Sequence, residues 1–231
     1  MGTISANLQA VKQRIATAAL ACGRNPADIG LIAVSKTFGA DTVAAAHACG
    51  QHAFGENHVQ EALGKIAALH HLPLQWHYIG PIQSNKTRPI AEHFDWVHSI
   101  DRVKIAARLS AARPAGLAPL QVCIQVNIGD ESTKSGVAPG EALALGRAVG
   151  ALPRLRLRGL MAIPPASGDH AQQRRHFARL RRLKDDLVAA GVSLDTLSMG
   201  MSADLEAAIA EGATLVRVGT AIFGERKGSE K

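Results

Sequence analysis

Aromatic residues are scarce in this chain of 231 residues: two Trp, one Tyr and five Phe, 3% of the whole. That is too few for a base-stacking platform on single-stranded nucleic acid. Cysteine is scarcer still. Cys22, Cys49 and Cys123 are odd in number and form no CxxC, which suits a reducing compartment, so a cytoplasmic protein is expected. No apolar run approaches the roughly 18 residues of a membrane span, and the N-terminus lacks the basic-then-apolar layout of a signal peptide. Met1-Gly2 begins like a myristoylation signal, but Ala6 stands where that signal needs a hydroxyl. Charged residues make up only 19% against 47% hydrophobic, which excludes wholesale disorder. A chain of this length buries a sizeable core without disulfides or a structural metal.

What is present in excess is positive charge, +7 in all. It gathers at Arg154, Arg156 and Arg158, and again at Arg174, Arg175, Arg179, Arg181, Arg182 and Lys184. The second set is interleaved with Phe177, Leu180, Leu183 and Leu187 at helical spacing, which describes a surface helix with an apolar stripe and a basic face. A solvated face is the reading adopted, and no nucleic-acid partner is expected. Small anionic ligands stay open, because positive charge favours them too.

Along the chain, apolar runs alternate with amphipathic stretches. Strands are expected at 29–34, 52–54, 76–79, 96–99, 120–127, 157–163, 196–199 and 215–218. Helices are expected near 8–19, 41–49, 59–68, 104–112, 141–151, 172–190 and 203–211, with a short one starting near Pro89. Eight strands alternating with helices in this length predict an α/β chain folded as a (β/α)8 barrel, that is, a TIM barrel. A doubly wound sheet would show GxGxxG after the first strand, where this chain reads Val34-Ser35-Lys36-Thr37-Phe38-Gly39. No repeat or linker divides the chain, so a single domain over 1–231 is expected, with a short flexible tail from about 225.

In such a barrel the chemistry lies where strands end and the βα loops begin. Those places hold Lys36, Glu56-Asn57, His77, Asn127, Met161, Ser198-Met199-Gly200-Met201-Ser202 and Arg217 with Gly219-Thr220. Alone, Lys36 reads as a surface lysine. At the barrel mouth, desolvation or a neighbouring cation can instead make it a Schiff-base amine. Ser202 alone reads as a helix N-cap ahead of Asp204 and Glu206, a role compatible with phosphate binding. Arg217, inside an apolar strand, must meet an acidic side chain or a ligand, since an unpaired buried guanidinium is very costly. HExxH, zinc-type Cys/His spacing and GxSxG are all missing, and Gly129 to Ser135 fails as a phosphate loop because Thr133 replaces its second glycine. No metal is expected.

Taken together, Ala33-Val34-Ser35-Lys36, Phe54-Gly55-Glu56-Asn57 with Val59-Gln60-Glu61, and Trp76-His77-Tyr78-Ile79-Gly80 running to Lys86 form an ordered set of motifs. Val126-Asn127 with Lys134-Ser135-Gly136, Leu197-Ser198-Met199-Gly200-Met201-Ser202-Ala203-Asp204, and Arg217-Val218-Gly219-Thr220-Ala221-Ile222-Phe223-Gly224 continue it. The chain resembles the pyridoxal phosphate homeostasis proteins from its first helix to Gly224. The resemblance implies a barrel like the N-terminal domain of alanine racemase, without that enzyme's additional β-domain, binding pyridoxal 5′-phosphate through a Schiff base at Lys36. It also implies phosphate contacts at Ser198, Met199, Ser202, Gly219 and Thr220, Arg217 facing the pyridine nitrogen, and Asn57 and His77 beside the ring.

An arginine at the pyridine nitrogen, being always charged, disfavours a second positive charge there and weakens the cofactor as an electron sink. Two-base racemisation also needs a donor opposite Lys36, and the one tyrosine, Tyr78, is adjacent to His77 and so points away from the barrel interior. The expected function is therefore to carry and buffer pyridoxal phosphate and so maintain vitamin B6 and amino-acid and keto-acid homeostasis, as a monomer, with pyridoxal-phosphate-dependent apoenzymes as recipients. A weak amino-acid racemase is the alternative.

Overall fold

In the computed structural model, which describes residues 3–129 and 135–225, eight parallel strands close into a barrel in chain order. They are β1 (Gly30–Val34), β2 (Ala53–Glu56), β3 (Gln75–Tyr78), β4 (Trp96–Ile100), β5 (Leu120–Gln125), β6 (Leu155–Met161), β7 (Thr196–Ser198) and β8 (Leu215–Val218). Closure is made by β1 against β8, with Ile32 opposite Arg217. The helices are α1 (Ile4–Ala21), α2 (Ala40–Ala48), α3 (Val59–Ala68), α4 (Thr87–His93), α5 (Val103–Ala112), α6 (Ala142–Gly150), α7 (His170–Ala189), α8 (Leu205–Ala210) and α9 (Thr220–Phe223). Among the described residues no helix is long and apolar enough to cross a membrane.

The apolar spacing of the sequence is what packs the outer layer. α1, capped by Thr3 through the Ala6 amide, buries Leu8, Val11, Ile15 and Ala19. α7 buries Gln173, Phe177, Leu180 and Leu187. Its basic face is partly paired: the carboxylate of Glu211, 6% exposed, takes Arg174 at 2.6 Å and Arg181 at 3.1 Å. Arg158 pairs with Asp195 at 2.8 Å and lies 5.0 Å over the Trp96 ring. The strand interior forms a second, smaller apolar cluster of Trp96, Cys123 and Met161. Burial pushes the Cys123 thiol up to about 12, which leaves it an inert packing residue.

The bounds of several elements differ from the sequence expectation by a few residues, β5 ending at Gln125 and β6 at Met161 among them, and three differences stand out. The last helix before β8 begins at Leu205, because Asp204 turns back and its Oδ1 accepts the Met201 amide at 2.6 Å; Ser202 is therefore not the N-cap. A further helix, α9, opens directly after Gly219, where the sequence spacing predicts none. Strand β6 begins two residues early, at Leu155. Ser132, Thr133, Lys134 and the tail from residue 226 lie outside the described residues.

Candidate functional site

Strand parity carries the sequence into one cavity. Val34 lines it, and Lys36, two residues further along the same side of the chain, lines it too. The cavity, about 400 Å³ at the C-terminal ends of the strands, is also lined by Asn57, Ile79, Gly80, Pro81, Ile163, Met201, Ser202, Ala203, Arg217, Gly219 and Thr220. Lys36, Asn57, Ser202, Arg217, Gly219 and Thr220 are thus brought together from β1, β2, β7 and β8 and their loops. Gly80 is required for this: a Cβ there would lie 2.7 Å from the Asn57 carbonyl oxygen. Gly200, at φ +94 with its would-be Cβ 2.6 Å from Ala208, turns the chain from β7 towards Met201 and Ser202.

The lining has the chemistry of a site for a small, partly apolar anion. Asn57 Oδ1 is buried with no partner, an acceptor awaiting a donor. Ile163 and Met201 are 41% and 38% exposed, apolar side chains on the wall suited to cover a ring. The first amides of α9 have no intrahelical acceptor, beside Gly219 and Thr220 on the wall.

Three expected residues are not on the wall. Met199 is fully buried in the main core. Ser198 and His77 lie inside the barrel in a hydrogen-bonded chain that ends on Arg217. Arg217 Nη1 donates to Ser198 Oγ at 2.7 Å, and Nη2 to the Ala162 carbonyl at 3.0 Å. Its partners are thus a hydroxyl and a carbonyl, in place of the acidic side chain or ligand that burial in an apolar strand suggests. Asp204 acts on it only through space, and burial lowers the guanidinium to about 10. Ser198 Oγ meets His98 Nδ1 at 2.8 Å, His98 Nε2 meets His77 Nδ1 at 2.9 Å, and His77 Nε2 meets Gln75 Oε1 at 3.0 Å. Since Gln75 Oε1 can only accept, His77 Nε2 donates to it, His98 Nε2 donates to His77 Nδ1, and the serine proton goes to His98 Nδ1. Tyr78 points outward as expected: its hydroxyl donates to the Asn57 and Pro81 carbonyls, and its ring packs edge-on against Phe94.

Burial holds His77 at about 3 and His98 well below its ordinary value. Both stay neutral in the fold but titrate near 6.5 once unfolded, so the unfolded chain takes up protons first as pH falls. Their stabilisation is present above about pH 6.5 and is lost below it. Between about pH 7.5 and 5.5 the pair withdraws about 3 kcal/mol. Urea unfolding at both pH values reads this directly, and His98→Asn should remove about half of the difference. An unchanged difference in that variant contradicts the neutral histidine chain.

A second network, which sequence reading passed over, lies behind Lys36. Lys65 of α3, 5% exposed, donates at 2.7 Å to the Ser35 carbonyl, to Glu56 Oε1 and to Glu61 Oε1. Ser35 Oγ donates to Glu56 Oε1 at 2.6 Å, and the Thr37 amide to Glu61 Oε1 at 2.6 Å. Burial pushes the Glu56 carboxyl up, against the hydrogen bonds from Lys65 and Ser35. Burial also opposes ionisation of Glu61, but its bonds from Lys65 and Thr37 outweigh that and hold its carboxyl below the usual range. The i,i+4 pair Glu61–Lys65 was the available signal, though such pairs are usually solvated.

Residues 6–227 match the family of the alanine racemase N-terminal domain. The pyridoxal phosphate homeostasis protein of Pseudomonas aeruginosa is 63% identical over 98% of this chain and 97% of its own length. That of Escherichia coli K12 is 51% identical over the full length of both. The structure of PipY from Synechococcus elongatus with PLP bound superposes with a TM-score of 0.85 at 38% identity, covering 96% of this chain and all of that one.

Proposed function

Because the chain belongs to the pyridoxal phosphate homeostasis proteins, built on the alanine racemase N-terminal domain, we propose that it binds pyridoxal 5′-phosphate in the barrel-mouth cavity and carries it. Lys36 is the amine that holds the aldehyde carbon. Ser202, Gly219 and Thr220 hold the phosphate, with the α9 amides beside them. Ser198, whose hydroxyl is committed to Arg217 and His98, holds Arg217 in place and leaves the phosphate to the wall residues. Arg217 would face the pyridine nitrogen, Asn57 would lie beside the ring, and Ile163 with Met201 would cover it and exclude water.

Bound there, the cofactor offers an electrophilic carbon and an electron sink. The residues of this chain restrain the second property. Arg217, kept charged and fixed by two neutral acceptors, opposes protonation of the ring nitrogen. The observation that carries the reading is that Lys36 and Arg217 share one cavity whose other described lining side chains include no acid–base group. A lysine that can bind and release an aldehyde, beside a damped electron sink, serves storage and delivery better than turnover. The protein then buffers free pyridoxal phosphate in the cytoplasm, acting as a monomer on pyridoxal-phosphate-dependent apoenzymes, with no nucleic-acid partner.

Mixing the loaded protein with a pyridoxal-phosphate-dependent apoenzyme, in the presence of a phosphatase that destroys the free cofactor, tests delivery. Recovery of the apoenzyme's activity is expected. No recovery, together with loss of optical rotation from L-amino acids incubated with the loaded protein, would make it a racemase instead.

A further inference from the structure

Residues 35, 36 and 37 are held on both sides by one buried ammonium and the carboxylates it gathers. Lys65 Nζ fixes the Ser35 carbonyl directly, and through Glu56 it fixes the Ser35 hydroxyl. On the far side of Lys36, the Glu61 oxygen that Lys65 binds also accepts the Thr37 amide. Thr37 needs such a restraint. Its φ is +71, a left-handed conformation that a β-branched residue rarely adopts. None of these groups lines the cavity, so none touches a ligand there.

We propose that Lys65 and Glu61 are positioning residues for Lys36: together they strap the strained Ser35–Thr37 turn so that the Lys36 amine stands ready in the barrel mouth. The inference rests on Lys36 being the cofactor-holding amine. Its physical basis is preorganisation. A lysine on a turn free to relax at Thr37 must be reordered at each binding event, which weakens binding and speeds release. Bonds to charged partners are the strong class, and here three of them converge on Lys65. Because Glu61 lies on α3, any movement of that helix reaches Lys36 through two bonds.

The test measures pyridoxal phosphate affinity and release rate in wild type, Glu61→Ala, Lys65→Met and Thr37→Gly, with thermal unfolding alongside. Glu61 is 31% exposed, so Glu61→Ala should fold even where Lys65→Met does not. Glu61→Ala is expected to weaken binding about tenfold and to speed release, with Glu61→Gln in between, since its amide oxygen still accepts from Thr37. In a Thr37→Gly background, where φ +71 is unstrained, the loss caused by Glu61→Ala should shrink to about threefold or less. A merely structural role for Glu61 would show no such dependence on Thr37. Unchanged affinity in Glu61→Ala, or an equal loss in both backgrounds, overturns the strap while leaving Lys36 in place. A wild-type protein with no borohydride-trapped cofactor on Lys36 overturns the cofactor reading and the strap together.

Discussion

Lys36→Ala protein mixed with pyridoxal phosphate should show no visible band from bound cofactor, and borohydride should fix no cofactor to the chain. The expectation follows from placement. Of the described residues lining the cavity, Lys36 alone offers a primary amine. The nearby Lys65 has its ammonium taken up by three oxygens behind the turn. Affinity should fall about a hundredfold or more, equivalent to about 3 kcal/mol, because the contacts proposed for Ser202, Gly219, Thr220 and Arg217 remain and only the covalent link is lost. The fold should be unaffected, since a half-buried side chain at a barrel mouth adds little to the core. A trapped adduct persisting in this variant would move the amine to another lysine, with Lys86 and Lys134 the next to map.

The second large effect belongs to Arg217. Replacing it with Glu puts a carboxylate where Ser198 Oγ and the Ala162 carbonyl expect a donor, in a residue 3% exposed. Stability should fall by about 3–5 kcal/mol, the usual cost of breaking a buried charged interaction. Arg217→Gln, which still donates, should lose less and keeps the experiment open if the Glu variant unfolds. In the loaded Glu variant the acid favours a protonated ring nitrogen. The absorption spectrum should change, and racemase or transaminase side activity should rise above the wild-type level. An unchanged spectrum with unchanged side activity would mean that residue 217 does not face the ring nitrogen.

Much of this architecture could be read from spacing. Short continuous apolar runs located the strands, β8 from Leu215 to Val218 without any shift, because a strand buried on both faces leaves a dense apolar signature. The mouth residues Lys36, Asn57, Ser202, Arg217, Gly219 and Thr220 were legible because barrels place chemistry at strand ends. What escaped depends on tertiary contact. Whether His77 faces a ligand or another histidine turns on what β4 and β7 bring opposite it, and here they bring His98 and Ser198. Ser202 and Asp204 are both good caps by residue type, and only the backbone turn that gives Met201 to Asp204 decides between them. α9 is one turn long, too short for any periodicity to register. The Lys65 network joins positions 35, 37, 56, 61 and 65, and its one local sign, the i,i+4 pair Glu61–Lys65, ordinarily marks a solvated pair and does not announce a buried lysine.

One measurement bears on all of this at once: the near-ultraviolet and visible absorbance of the purified protein loaded with pyridoxal phosphate, before and after borohydride, followed by peptide mapping. The expected result is a visible band that borohydride abolishes, with the cofactor mass found on the peptide containing Lys36. A colourless protein that takes up no added pyridoxal phosphate, or a label found elsewhere, contradicts the assignment of the barrel-mouth cavity as the cofactor site.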